Sequence, residues 1–560
     1  MRTLGWIGLA SALFLCVACG GEDTNDAEPG DSDRDDAGGS SSGDVVGSSS
    51  GGSGGSWSSS SSSSGGGDVV TAECPPDARP ADRACVLHER FGVFVSASLG
   101  NDDSGDGSRA RPFKSVARGM VTAKADRRRL YVCAESYAEG LVIEQDVDVY
   151  GDLSCANGVW QSANQRAVLN APASPAARAT NVESATRVEG IELVAPAAGP
   201  GESSIGLFVE NSSGLRWTEG KIVAGPGGAG ADGVTPAAYV LQGGVPARGA
   251  GSTRCDRDDG YLCPTPATAA VGGTCVAGAV TLSTYSGGYG GGAGIGHRES
   301  TGTPPALSYR VKRIFGANGG EVATGQHARG CSLTYPADLY ASPWIAVAEA
   351  GTVGAVGADG ANATSNVMLS MAGYVPSNGT AGANGGSGLG GGGGCGSLPT
   401  SLPFLVGVGQ SPIGTFSGDA GGAGGAGGCP GRAGSAGQGG GASIAVLTNV
   451  SFLIERSALV ANPGGVGGAG SLGSAPSAGA EGGPGGRAGA AGGAGGAAGY
   501  AGHGGSGPSF GIAWTGAAVP ITDAATLITV SPAAGQPERS GNGKTIPAAP
   551  AGLAEKIYAF

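Results

Sequence analysis

Charged and aromatic side chains are what this sequence has least of. Only 14% of its 560 residues are charged and 5% are aromatic. A conventional core needs more large side chains than that, so long stretches either stay unpacked or pack backbone against backbone. Histidine is nearly absent: His88, His297, His327 and His503 are the full set, H-E-x-x-H does not occur, and no C-x-x-C occurs beyond residue 19. The common zinc frameworks are thereby excluded. G-x-S-x-G is missing outside serine-glycine low complexity, which leaves acyl transfer without an anchor. Positive charge is also scarce, with a formal net charge of −13. No basic face argues for nucleic acid.

The N-terminus has a clear layout. Arg2 precedes an apolar run from Leu4 to Ala18, and small residues surround Cys19. That is the form of an export signal, too short for a comfortable membrane span. Val17-Ala18-Cys19-Gly20 resembles the lipobox of bacterial lipoproteins, although Cys16 stands where Leu is usual. The resemblance implies a signal over residues 1–18, lipidation of Cys19, and anchorage in the outer membrane at the cell surface. An ordinary cleaved signal with an incidental cysteine is the alternative. Residues 19–72 read as a Gly/Ser/Asp-rich tether. They hold ten acidic residues against Arg34, nine of the thirteen net negative charges, and almost nothing apolar. Such a segment cannot offset its chain entropy by burial.

Of twelve cysteines, ten remain beyond Cys19, an even number in an exported chain. Disulfides are expected. Proximity suggests Cys74–Cys85, Cys133–Cys155 and Cys255–Cys263, with Cys275–Cys331 and Cys395–Cys429 completing the set.

From residue 92 the texture changes. A short strand at Val93–Ser96 leads into a polar loop. Phe113, Val116, Ala117, Met120 and Val121 then carry helical spacing, predicting a helix near 113–124. Strands follow at Leu130–Cys133, Leu141–Ile143 and Val147–Tyr150. The stretch resembles the N-terminal segment of pectate-lyase-like right-handed β-helix proteins over about sixty residues. The matching positions are Gly100, Asp102, Gly107, Pro112, Phe113, Ser115, Val116, Tyr131, Val132, Tyr137, Glu139, Val147, Val149 and Gly151. The resemblance implies a fold and carries no catalytic residue. Three segments repeat one another: Ser204–Leu207 with Lys221–Pro226, Ser443–Val446 with Ala458–Pro463, and Ser509–Ile512 with Leu527–Pro532. One such unit cannot bury its apolar face alone, so the copies are expected to stack.

Between the apolar units lie glycine tracts with a period of three. Glycine falls at 351, 354, 357 and 360, at every third position from 379 to 394, again from 422 to 440, and again through 464–473 and 479–485. The phase then shifts and runs through 489, 492 and 495. Such a period suits a left-handed helix of three residues per turn with one bare edge. Bundled polyglycine-II-like segments are expected, with Gly425 on the bare edge and Ala426 pointing outward. Disordered loops are the alternative. The composition resembles that of PGRS-type surface proteins.

The fold class expected is all-β: a right-handed parallel β-helix with a short N-terminal capping helix, interrupted by these tracts. The divisions are 73–225 for the disulfide-bearing first coils, 226–508 for tracts interleaved with coils, and 509–560 for a C-terminal coil and tail. Candidate chemistry is thin. Gly502-His503-Gly504 echoes a β-helix polygalacturonase motif but lacks the carboxylates that glycoside hydrolysis needs. Calcium is the only cofactor suggested, at Asp256, Asp258 and Asp259 or at Asp102, Asp103 and Asp106, and neither loop has a full ligand set. Glu189, Glu192, Glu210, Arg216, Glu219 and Lys221 are the residues an enzyme would draw on. The expectation is a lipid-anchored structural, adhesive or scaffold protein without a catalytic site. Its partners are the membrane, through the lipid, and polysaccharide or other surface proteins. The alternatives are a surface polysaccharide lyase or hydrolase, and a non-catalytic glycan-binding module.

Overall fold

The computed structural model describes residues 74–243, 272–284, 348–364, 367–394, 420–485 and 487–560, with the backbone of short strands at 254–255, 295–301, 308–314, 333–334, 344–345 and 415–417. Cys19, the tether, Cys263, Cys331, Cys395, Asp256, Asp258 and Asp259 lie outside the described residues, and Cys255 is described by its backbone alone.

Most of the described chain is strand, arranged largely in parallel sheets, with a single α-helix among the described residues. Three long sheets dominate. Sheet 1 contains Gly92–Val95, Arg129–Cys133, Val149–Ser154, Thr186–Glu189, Leu215–Thr218, Leu453–Glu455 and Ile521–Thr522. Sheet 2 contains Ser136–Tyr137, Ala167–Asn170, Ile191–Val194, Lys221–Ala224, Ala458–Ala461 and Leu527–Val530. Sheet 3 contains Leu141–Ile143, Ala177–Thr180, Ser204–Glu210, Ser443–Thr448, Ser509–Trp514 and Ala554–Ala559. From Leu141 onward the chain visits sheets 3, 1 and 2 in that order, lap after lap.

In most strands of these sheets alternate residues point into a shared core, as strand geometry allows. Val149, Val188, Trp217 and Ile454 form one column. Leu169, Leu193, Ile222 and Leu459 form a second, and Leu207, Val446 and Ile512 a third. These columns meet in one apolar cluster. Burying each such side chain stabilises the fold by roughly 1.5–3 kcal/mol. The three sequence repeats sit on successive laps in register: Ser204 pairs with Ser443 and Ser443 with Ser509, while Lys221 pairs with Ala458 and Ala458 with Leu527.

The helix spans Val116–Asp126 and covers one end of the core. Its start is fixed by three groups. Ser115 Oγ accepts from the Arg118 amide, Glu139 accepts from the amides of Val116 and Ala117, and Asp102 Oδ1 accepts from those of Lys114 and Ser115. These bonds satisfy donors that a helix N-terminus leaves free. The buried stripe is Val116, Gly119, Met120 and Ala123. Val121, expected on that stripe, is 63% exposed. The helix begins three residues later than the spacing suggested, because Phe113 pairs with Val95 at the edge of sheet 1.

The glycine tracts all leave from one corner, between a sheet 2 strand and the next sheet 3 strand. They carry no pleated sheet, yet they are hydrogen-bonded at three-residue intervals. Gly422, Gly425, Gly428 and Gly431 donate to the carbonyls of Arg487, Ala490, Gly493 and Gly496 in parallel. Ser477, Ala480 and Gly483 donate to Cys429, Ala426 and Ala423 in antiparallel fashion. Segment 489–507 bonds in this way to four others, at 351–363, 377–392, 422–440 and 465–483. The tracts also follow the laps beside them. Gly227 pairs with Pro463, 236 residues on, and Lys221 with Ala458, 237 on. Gly422 pairs with Arg487, 65 on, and Ser443 with Ser509, 66 on.

Glycine is demanded by this spacing. A Cβ on Gly425 would lie 1.9 Å from the Ala480 carbonyl oxygen. Outward positions do exist, since Val353 and Val356 are 65% and 62% exposed. Ala426 is not one of them. It is fully buried, because segment 420–431 has neighbours on all sides.

Two expected disulfides form, Cys74–Cys85 and Cys133–Cys155. The other pairing is corrected. Cys429 bonds Cys275, with Cα atoms 5.6 Å apart, and so partners neither Cys395 nor leaves Cys275 for Cys331. Cys275 lies in the antiparallel sheet of Val240–Gln242, Thr274–Ala277 and Val280–Ser283, and both cysteines are fully buried.

Candidate functional site

The outer face of sheet 1 carries the densest polar chemistry among the described residues. Pairing places Phe94, Tyr131, Tyr150, Glu189, Thr218 and Glu455 in one outward ladder. Its first three members are aromatic and buried under Leu87, Trp160 and the Cys133–Cys155 bridge. Residues 74–91 run over this face as a strap. Tyr131 donates its hydroxyl to the Val86 carbonyl at 2.6 Å, and Arg129 donates to the carbonyls of Ala78, at 2.7 Å, and Pro76.

Where the ladder turns polar, the strap inserts Arg79. Its Nε lies 2.9 Å from both oxygens of Glu189, and its Nη2 lies 2.6 Å from Glu189 Oε1 and 2.9 Å from Glu219 Oε1. This forked geometry is the strong form of a carboxylate–guanidinium contact. Arg456 donates to Glu219 Oε1 at 3.1 Å, Arg187 approaches Glu189 at 3.7 Å, and Thr218 Oγ1 donates to Glu189 Oε2 at 3.4 Å. Glu219 and Arg456 occupy equivalent corners of adjacent laps, each with positive φ. The corner below them is Gly190, where a Cβ would lie 2.6 Å from that of Asp152.

Asp152 completes the cluster. One oxygen of each of Asp152, Glu189 and Glu219 lies within 4.8 Å of the others. Asp152 is 8% exposed, and its Oδ1 has no hydrogen-bond partner. Burial, then repulsion from Glu189, pushes its carboxyl up to about 6. Burial also works to raise Glu219, but the hydrogen bond and charge of Arg79, then those of Arg456, outweigh it and hold that carboxyl below its usual range. The Glu189 bond holds Arg79 firmly protonated. The cation in this seat is the Arg79 guanidinium.

The structure thus joins Glu189 and Glu219 and separates the remaining expected residues. Glu192 pairs with Lys221 on sheet 2 at 2.9 Å, Arg216 is exposed, and Glu210 ends a sheet 3 strand. Sequence reasoning passed over Asp152, Arg79, Arg187 and Arg456. Asp152 directly follows Gly151 in a sheet 1 strand, but only strand register reveals what it faces.

The other candidates are structural. Asp102 is committed to backbone amides, and Asp106 to Arg111 and the Ser108 amide. His503 is fully buried among glycine tracts, and its Nδ1 accepts from Gly470 at 3.0 Å. Cys133 and Cys155 lie beside Glu135 but are bonded to each other. A cavity of about 220 Å³ lined by Val367, Tyr374, Pro508 and Leu553 gathers no catalytic set. Comparison with protein-family models, curated proteins and solved structures finds no match.

Proposed function

We propose that this chain is a lipid-anchored cell-surface scaffold whose role is structural or adhesive. In this reading the three sheets wind as a right-handed parallel β-helix, and the tracts are polyglycine-II-like helices built out from one corner of it. The supporting observation is the shared register: tract and strand offsets between laps agree to within one residue. Matched spacing lets the strand laps and the tracts bond as one array, which suits a structural role. Backbone hydrogen bonds take the place of the missing large side chains.

A second reading, a surface polysaccharide lyase or hydrolase, draws on Asp152, Glu189 and Glu219 converging beside arginines on one strand face. Against it, Arg79 fills the seat between the carboxylates, and substrate would have to displace the strap. The two readings separate by assay. The purified full chain with Cys19→Ser is incubated with uronate polymers and tested on a glycan array. The scaffold reading expects no unsaturated or reducing-end product; sustained turnover abolished by Glu189→Gln would overturn it.

A further inference from the structure

One imidazole is sealed inside the glycine bundle. His503 is fully buried on segment 489–507, and its main-chain N–H donates to Asn362 Oδ1 at 2.9 Å. Its ring ties that segment to the tract beside it: Nδ1 accepts from the Gly470 amide at 3.0 Å. A ring nitrogen that accepts carries no proton, so the proton is on Nε2 and the imidazole is neutral. Nε2 itself is buried without a hydrogen-bond partner. Two backbone bonds flank the contact, Ala501 N–H to the Ser471 carbonyl at 2.7 Å and Gly504 N–H to the Gly468 carbonyl at 2.9 Å. The charged groups that act on the ring are Arg539 and Asp232. Arg539 Nη1 donates to the Gly470 carbonyl at 3.0 Å, and Asp232 Oδ1 accepts from the Ala469 amide at 2.7 Å.

We propose that His503 is an acid-sensitive latch between tract 465–471 and segment 501–507, closed while its imidazole is neutral and released when Nδ1 takes up a proton. A proton on Nδ1 would face the Gly470 N–H, so a hydrogen bond would become two opposed donors. The charge would also be buried, with Nε2–H unpaired and Arg539 close by. Once released, the ring meets water and either protonation state is satisfied. In the closed form burial, then Arg539, hold the imidazole below its ordinary value of 6.5, and Asp232 opposes them without prevailing. The latch therefore has its full strength above pH 6.5 and weakens progressively as pH falls below that, until the buried ring itself is protonated. Each unit of pH in that window favours release by up to roughly tenfold. The tracts at 351–363, 377–392, 422–440 and 465–483 contain no histidine, so the response is local to this contact.

Hydrogen exchange on the full chain with Cys19→Ser, corrected for intrinsic rates, reads the latch at the amides of Gly470, Ala501 and Gly504. The amides of Gly425 and Gly428, bonded to Ala490 and Gly493 in the same bundle, are the reference. From pH 7.5 to pH 5.0, protection at the first three is expected to fall by about fivefold or more relative to the reference. His503→Asn places a neutral oxygen near the position of Nδ1 and takes up no proton, so it should abolish the slope. The parent ring supplies a readout that needs no variant: its nitrogen resonances should show the Nε2–H form at neutral pH and a midpoint below 6.5. A flat profile in the parent, the parental slope in a folded His503→Asn, or a ring midpoint at or above 6.5 would each overturn the proposal.

Discussion

Replacing Gly425 by valine tests whether the tracts are held by close backbone contact. The Cβ of the new side chain would lie 1.9 Å from the Ala480 carbonyl oxygen and 2.7 Å from that of Glu481. Segment 420–431 is buried throughout and has no room to retreat, so the half-exposed segment around Ala480 and Glu481 must be pushed away. The hydrogen bonds at risk are Gly425 to Ala490, Gly391 to Gly425, and Ala480 to Ala426. At about 0.5–1.5 kcal/mol net each, their loss costs roughly 2–4 kcal/mol, before any unpaired buried group is counted. Ala426 is an unsuitable control because it is fully buried. Ala358 is suitable: it is exposed on segment 351–363, between Gly357 and Gly360. Ala358→Val should stay within about 0.5 kcal/mol of the parent. Mapped limited proteolysis gives the readout, with new cleavage expected within 420–440 for Gly425→Val alone. Equal resistance in the two variants would refute the packing argument.

Two further outcomes are expected. Non-reducing peptide mapping should recover Cys275 bonded to Cys429, and replacing both by serine should destabilise the body by up to about 5 kcal/mol, the chain-entropy value for a separation of 154 residues; recovery of a Cys395–Cys429 peptide would contradict the pairing. Cys19→Ser should move the protein from the membrane fraction to the soluble fraction, because acyl chains on Cys19 are the proposed hold on the bilayer; unchanged membrane retention would remove the lipid anchor from the account.

What the sequence reveals here is whatever repeats. Ser204, Ser443 and Ser509 announce successive laps because the same inward and outward pattern recurs around each. Glycine at every third residue announces close backbone neighbours, since any Cβ there meets a carbonyl. Partners across long separations are hidden. Cys275 and Cys429 meet only because an antiparallel sheet is folded against a buried tract, and cysteine spacing holds no trace of that. Ala426 looked outward because a single tract offers one bare edge, whereas a tract surrounded by others offers none. The Arg79 cluster was illegible for the same reason. Asp152, Glu189 and Glu219 become neighbours through strand register on three laps, and Arg79 reaches them from a strap with no repeat of its own. Val121 shows a local failure: a pairing at Phe113 and the caps of Asp102 and Glu139 shift the helix and rotate its buried stripe.

The central claim is that strands and glycine tracts form one ordered body. Residue-resolved hydrogen exchange at Gly492, Gly495, Gly504 and Gly507 tests it most directly, because each amide donates to a neighbouring tract at 2.8–3.0 Å. The account predicts protection in the range of Leu193 and Ile512 within the strand core. Exchange at the rate of an unstructured glycine peptide, with the strand amides still protected, would contradict it.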